Sequence, residues 1–173
     1  MSVHSEISKV TVSHLQRWKS EGHKITMVTA YDATFARLFD QAGVDTLLVG
    51  DSLGMVVQGR ATTIPVTLDE IIYHTRCVAR GTERAHLIAD MPFGSYQASL
   101  RDAIVAGSRC LKEGLAESVK VEVGLEDATL VAAMVRAGIP VMAHIGLRPQ
   151  RVHQMGGYKI QGKTSSAEEA LLE

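Results

Sequence analysis

The segment KITMVTAYDATFARLFDQAGVDTLLVG, Lys24 to Gly50, decides the fold. It opens on a β-branched apolar run, Lys24-Ile-Thr-Met-Val-Thr-Ala30, and closes on a second, Asp45-Thr-Leu-Leu-Val-Gly50. Asp32 is a helix N-cap residue, and Phe35, Leu38, Phe39 and Ala42 follow at i, i+3, i+4 and i+7, which predicts a helix with one apolar face. Gly43 supplies the left-handed turn that ends such a helix. Strand, helix, strand within 27 residues is a βαβ unit, because parallel neighbours need a long crossover between them.

The alternation continues in both directions and gives five units around a parallel sheet. A helix over 11–21, with Leu15 and Trp18 on one side, precedes the first strand, and strands are expected near 24–30, 45–50, 86–90, 118–123 and 140–144. Thr67-x-x-Glu70 is a capping box for a helix that turns Ile71, Thr75 and Val78 inward. Ser99-x-x-Asp102 opens another, with Ala103, Gly107, Cys110 and Leu111 sharing a face. A further helix is built on Ala128, Val131, Ala132 and Val135 and closed by Gly138. Near the end, Ser165-x-x-Glu168 and Ser166-x-x-Glu169 each read as a capping box with only a few residues after it. A whole (β/α)8 barrel takes about 250 residues. The expectation is therefore a single domain over 1–173, an incomplete TIM barrel of the α/β class. A complete five-stranded doubly wound sheet competes with it, weakened by the lack of a Gly-rich turn after the first strand.

Composition narrows the function. With 18 basic and 19 acidic residues the net charge is −1, too little field to hold nucleic acid or an anionic membrane. No run approaches the ~18 apolar residues of a membrane span, and the start Met1-Ser-Val-His-Ser-Glu lacks the blocks of a secretion signal. A cytoplasmic protein with a small-molecule partner is expected. Cys77 and Cys110 are too few for a disulfide framework and read as two small buried thiols.

The chemistry collects at the C-terminal ends of the strands, the edge where both candidate folds place their sites. Asp51 and Ser52 follow the second strand, Asp90 ends the third, Lys120 and Glu122 lie on the fourth, and His144 ends the fifth. Period-two alternation sends Lys120 and Glu122 to one face and Val119, Val121 and Val123 to the helix-covered face. Charges inside a sheet cost several kcal/mol unless paired or liganded. A structural Lys120–Glu122 or Lys120–Asp90 pair is one reading. The other is a cation site, since Asp51, Asp90 and Glu122 share a single lysine; oxygen ligands select a hard ion, Mg²⁺ before Zn²⁺. Gly50-Asp-Ser-Leu-Gly54 also fits G-x-S-x-G and the GDSL string of an esterase family, with Ser52 as nucleophile. No histidine has an aspartate three residues before it and the sequence contains no asparagine, so that hydrolase lacks its base and its oxyanion donor. His4, His14, His23, His74, His86 and His153 are at no metal spacing and are expected on the surface or packing against helices. Gly156-Gly-Tyr-Lys-Ile-Gln-Gly162 is either a lid or a surface connection.

Seven ordered motifs carry a resemblance: Thr29-Ala-Tyr-Asp32, Val49-Gly-Asp-Ser-Leu-Gly-Met55, Thr63-Ile-Pro-Val-Thr67, Ala89-Asp-Met-Pro-Phe93, Val119-Lys-Val-Glu122, Ala143-His-Ile-Gly-Leu-Arg-Pro-Gln150 and Gly156 to Gly162. From about residue 8 onward the chain resembles the first two-thirds of the ketopantoate hydroxymethyltransferases, which are (β/α)8 barrels. The resemblance implies transfer of a hydroxymethyl group from 5,10-methylenetetrahydrofolate to 3-methyl-2-oxobutanoate, giving 2-dehydropantoate in pantothenate biosynthesis. It implies Mg²⁺ on Asp51, Asp90 and Glu122, and substrate contacts from Asp51, Ser52, Asp90, Lys120 and His144. Folate is the co-substrate, and the family forms decamers, hence a homo-oligomer. The family's general base, a glutamate on strand six, would lie beyond Glu173, so no catalytic base is expected within the chain. A C-terminally shortened chain, inactive alone, is the resulting expectation. The alternatives are another Mg²⁺-dependent barrel enzyme that forms an enolate from a 2-oxo acid, and a non-catalytic assembly partner.

Overall fold

A computed structural model describes residues 8–172. The element order is α1 (Val12–Ser20), β1 (Met27–Thr29), α2 (Ala33–Gln41), β2 (Thr46–Val49), α3 (Leu53–Val56), α4 (Leu68–Ala79), β3 (His86–Asp90), α5 (Leu100–Lys112), β4 (Ser118–Glu122), α6 (Ala128–Arg136), β5 (Val141–His144), α7 (Val152–Met155) and α8 (Ser165–Leu172), with short 3₁₀ turns at Leu125–Asp127 and Pro149–Arg151. The five strands form one parallel sheet in the order β1-β2-β3-β4-β5. Consecutive order is what an unrolled part of a (β/α) barrel gives, and it excludes the doubly wound sheet, whose order must reverse at a switch point.

Local chemistry places the crossovers as expected. The Asp32 carboxylate caps α2 by accepting from the backbone N–H of Thr34 and Phe35 at 2.8 and 2.9 Å. Thr67 and Glu70 close their box on α4, Glu70 N–H to Thr67 Oγ1 at 3.2 Å and Thr67 N–H to Glu70 Oε2 at 2.7 Å. Ser99 Oγ accepts from Asp102 N–H at 3.1 Å at the start of α5. Gly43 and Gly138 both take φ +85° where α2 and α6 end.

The core lies between the sheet and its helices. Leu47, Val49, Leu87, Ala89, Val119 and Val121 on the outer sheet face pack with Ile71 and Val78 of α4 and with Ala103 and Cys110 of α5.

Several expectations are corrected. On α2 the buried position is Ala36, whereas Phe35 and Leu38 are exposed; on α6 they are Ala133 and Met134, whereas Val135 is exposed. Both helices flank an edge strand, so only the side turned to the next helix inward is covered; Met134, for instance, packs toward Gly107 of α5. Cys77 is half-buried and only Cys110 is fully enclosed. The Thr164 side chain accepts from Ala167 N–H at 3.3 Å, so Thr164 caps α8 rather than Ser165 or Ser166. The expectation for His4 lies outside the described residues.

Candidate functional site

The register brings the strand ends level. Asp90 of β3 pairs with Lys120 of β4, and Glu122 of β4 pairs with His144 of β5, all with side chains on the inner face. Asp51 joins them from the turn after β2, where Gly50 lies close to Ser52: a Cβ at position 50 would stand 2.9 Å from Ser52 Oγ, which would have to turn away. Asp51, Asp90 and Glu122 are all buried. Asp51 N–H donates to Asp90 Oδ2 at 3.2 Å, and Lys120 Nζ donates to Asp90 Oδ1 at 2.7 Å. Ser52 Oγ and the Tyr31 hydroxyl share a hydrogen bond of 2.9 Å. His144 Nδ1 stands 3.8 Å from Glu122 Oε1.

Electrostatics set this cluster apart. Burial raises Asp90 to about 6, with Lys120 opposing and Asp51 adding to the rise. Burial likewise raises Glu122 to about 7, opposed by Lys120 and by the Gln150 N–H and reinforced by Asp51 and Asp90. His144 is lowered, first by burial and then by Lys120. Three carboxylates with one lysine leave the pocket short of positive charge.

Among the described residues, no group of three or more His, Cys, Asp or Glu is arranged to hold a metal ion. Lys120 occupies Asp90 Oδ1, and Gln150 occupies Asp51 Oδ2 and Glu122 Oε2. The donor chemistry nevertheless fits a hard divalent cation. All candidate ligands are carboxylate oxygens, their charge is under-compensated, and Glu122 Oε1 is buried without a hydrogen-bond partner.

The structural Lys120–Asp90 pair foreseen as one reading of strand four is present. One other expectation changes. His86 is neither a surface nor a helix-packing residue; it faces the sheet interior at the opposite end from the acids, with Nε2 at 2.9 Å from Ser118 Oγ. The 156–162 segment reaches back over α3, with the Tyr158 hydroxyl 3.9 Å from Met55 Sδ. Tyr31 and Gln150 lie within the motifs quoted above but had no role read from them, and Tyr96 lies in none. Gln150 closes one of the seven motifs, yet an amide has neither charge nor periodicity to announce it.

Fold and site together define a (β/α) barrel-type chain with a buried acidic cluster around Lys120 at its C-terminal strand ends. The profile of the family described as ketopantoate hydroxymethyltransferase matches residues 9–173, and the chain belongs to that family. It is 56% identical over 168 residues to the 3-methyl-2-oxobutanoate hydroxymethyltransferase of Anaeromyxobacter sp. (strain Fw109-5), covering 95% of this chain and 55% of that protein. To the protein of the same name from Carboxydothermus hydrogenoformans it is 53% identical, covering 96% and 60%. The chain spans 55–62% of the length of these and the other most similar relatives. Among solved structures, a phosphonopyruvate hydrolase complex with oxalate and Mg²⁺ superposes with TM-score 0.64 at 17% identity, covering 94% of this chain and 68% of that one. A 2,3-dimethylmalate lyase superposes with TM-score 0.61 at 18% identity, covering 95% and 57%. These structural likenesses concern the fold alone. Among the described residues no helix is long and apolar enough to cross a membrane.

Proposed function

We propose that this chain carries the 2-oxo-acid half of a hydroxymethyl transfer from 5,10-methylenetetrahydrofolate to 3-methyl-2-oxobutanoate, yielding 2-dehydropantoate. The observation that carries the reading is the convergence of Asp51, Asp90, Lys120 and Glu122 at adjacent strand ends, with less positive charge than the carboxylates demand. Asp51 and Asp90, with Glu122 beside them, would hold Mg²⁺, which when bound supplies Lewis-acid polarisation of the keto group. Lys120 serves as a fixed positive charge for the oxygen on which negative charge develops as the neighbouring C–H proton leaves. Ser52 donates its hydroxyl hydrogen to the substrate carboxylate. His144, held neutral by burial, borders the substrate without adding charge. No residue in the chain is assigned as the base; by resemblance it is a glutamate on a sixth strand. The reading extends to a cytoplasmic homo-oligomer, which the two free thiols and the exposed Phe35, Leu38 and Val135 support.

Calorimetric titration of 3-methyl-2-oxobutanoate in the presence of Mg²⁺ tests it. Binding is expected, weakened at least ~10-fold by Lys120→Ala, the scale of a lost charged hydrogen bond, and abolished by Asp90→Ala. Absence of binding, or binding indifferent to both substitutions, overturns the reading.

A further inference from the structure

Gln150, in the turn after β5, is only 3% exposed and its hydrogen-bonding groups are fully engaged. Its Nε2 donates to Asp51 Oδ2 at 3.0 Å and to the Met91 carbonyl at 2.9 Å. Its Oε1 accepts from the Tyr96 hydroxyl at 2.9 Å and from Gln97 Nε2 at 3.0 Å, and its backbone N–H donates to Glu122 Oε2 at 3.0 Å. A carboxylate and a carbonyl accept only, so the amide nitrogen must face Asp51 and Met91 and the amide cannot be flipped. The two side-chain carboxylates it grips, Asp51 and Glu122, come from the ends of β2 and β4, and the Met91 carbonyl follows directly after Asp90. For both carboxylates one oxygen is taken by Gln150. The other, Asp51 Oδ1 or Glu122 Oε1, accepts no hydrogen bond among the described residues.

We propose that the Gln150 side chain is a positioning group that fixes the rotation of the Asp51 carboxylate, while the backbone N–H of the same residue holds Glu122, so that one oxygen of each is left for a divalent cation. The inference rests on the proposed reading of Asp51, Asp90 and Glu122 as ligands of a hard cation. Partners of this kind orient ligands that would otherwise rotate toward other nearby donors, and their loss typically weakens metal affinity about 10–100-fold.

The test uses the full chain and Mn²⁺ as the probe, with free ion measured by electron paramagnetic resonance and folding followed by thermal melts. Gln150→Met removes the amide, and Gln150→Asn keeps it but shortens its reach by one methylene. Both are expected to weaken Mn²⁺ binding about 10–100-fold. Tyr96→Phe removes the hydroxyl that donates to Gln150 Oε1 and accepts from the Glu122 backbone N–H at 3.0 Å, while sparing the Gln150–Asp51 and Gln150–Glu122 bonds. It is expected to lower the melting temperature as much as Gln150→Met, yet to weaken Mn²⁺ far less. Mn²⁺ affinity within about threefold of wild type in Gln150→Asn, or affinity that falls in step with melting temperature across all three variants, overturns the proposal while the ligand reading stands. Wild type and Asp51→Ala binding Mn²⁺ equally, or wild type not at all, overturns the ligand reading, and the role of Gln150 with it.

Discussion

Replacing Lys120 with methionine removes the positive side chain that contacts Asp90 at 2.7 Å. Breaking a buried pair ordinarily costs about 3–5 kcal/mol, because a charge is stranded. Asp90 has an escape, since burial has already raised it to about 6 and it can take up a proton. A carboxylate whose folded pKa lies above its unfolded value contributes its full stability below the unfolded pKa and loses it as pH rises through the folded one. In wild type that loss runs from 3.8 to about 6 and then stops, roughly two units at 1.36 kcal/mol each. Without Lys120 the folded pKa moves higher and the loss continues. The variant should therefore match wild type near pH 5, be less stable by about 1 kcal/mol near pH 7, and by about 3 kcal/mol near pH 8. Glu122, which Lys120 also holds down, shifts in the same direction and steepens the trend. Urea unfolding followed by far-UV circular dichroism in metal-free buffer, at each of these pH values, measures the difference. A deficit above about 3 kcal/mol that is the same near pH 5 and pH 8 would refute the reasoning, because Lys120 would then act by packing and not by charge.

Gly81→Ala should cost at least about 1–3 kcal/mol, because its Cβ would lie inside contact distance of the Ala33 carbonyl at the start of α2; an unchanged urea midpoint would show that α2 and α4 part freely. His86 is lowered below 6.5 by burial, so its contribution is complete above pH 6.5 and is lost as pH falls through the lowered value; His86→Gln should flatten the stability–pH slope on that acidic side, and an unaltered slope would count against it. Ser99→Ala should cost about 1 kcal/mol through loss of the α5 cap, read as a lower urea midpoint at constant m-value. The 173-residue chain should give no measurable hydroxymethyl transfer by itself, since a positioned base typically contributes ~10²–10⁴-fold; turnover by the pure chain, abolished by Asp90→Ala, would place the base within it.

The elements, and the gathering of Asp51, Asp90, Lys120, Glu122 and His144 at one edge of the sheet, were legible from local pattern. Crossover signals such as Asp32, Thr67-x-x-Glu70 and Ser99 are local, acting through hydrogen bonds to residues two or three positions away. Period two put Lys120 and Glu122 on one side of β4 because a strand leaves them no other arrangement. Which apolar faces found partners depended on the packing of the whole chain. Phe35, Leu38 and Val135 keep the helical spacing of core residues yet are exposed, because their helices flank edge strands. That packing also decided which polar residues matter. The grip of Gln150 on Asp51 spans 99 positions of sequence, and a hydrogen bond between residues so far apart has no local pattern to betray it. The choice between a Lys120–Glu122 and a Lys120–Asp90 pair was settled the same way, by the register of β3 against β4, which no property of either strand alone can fix.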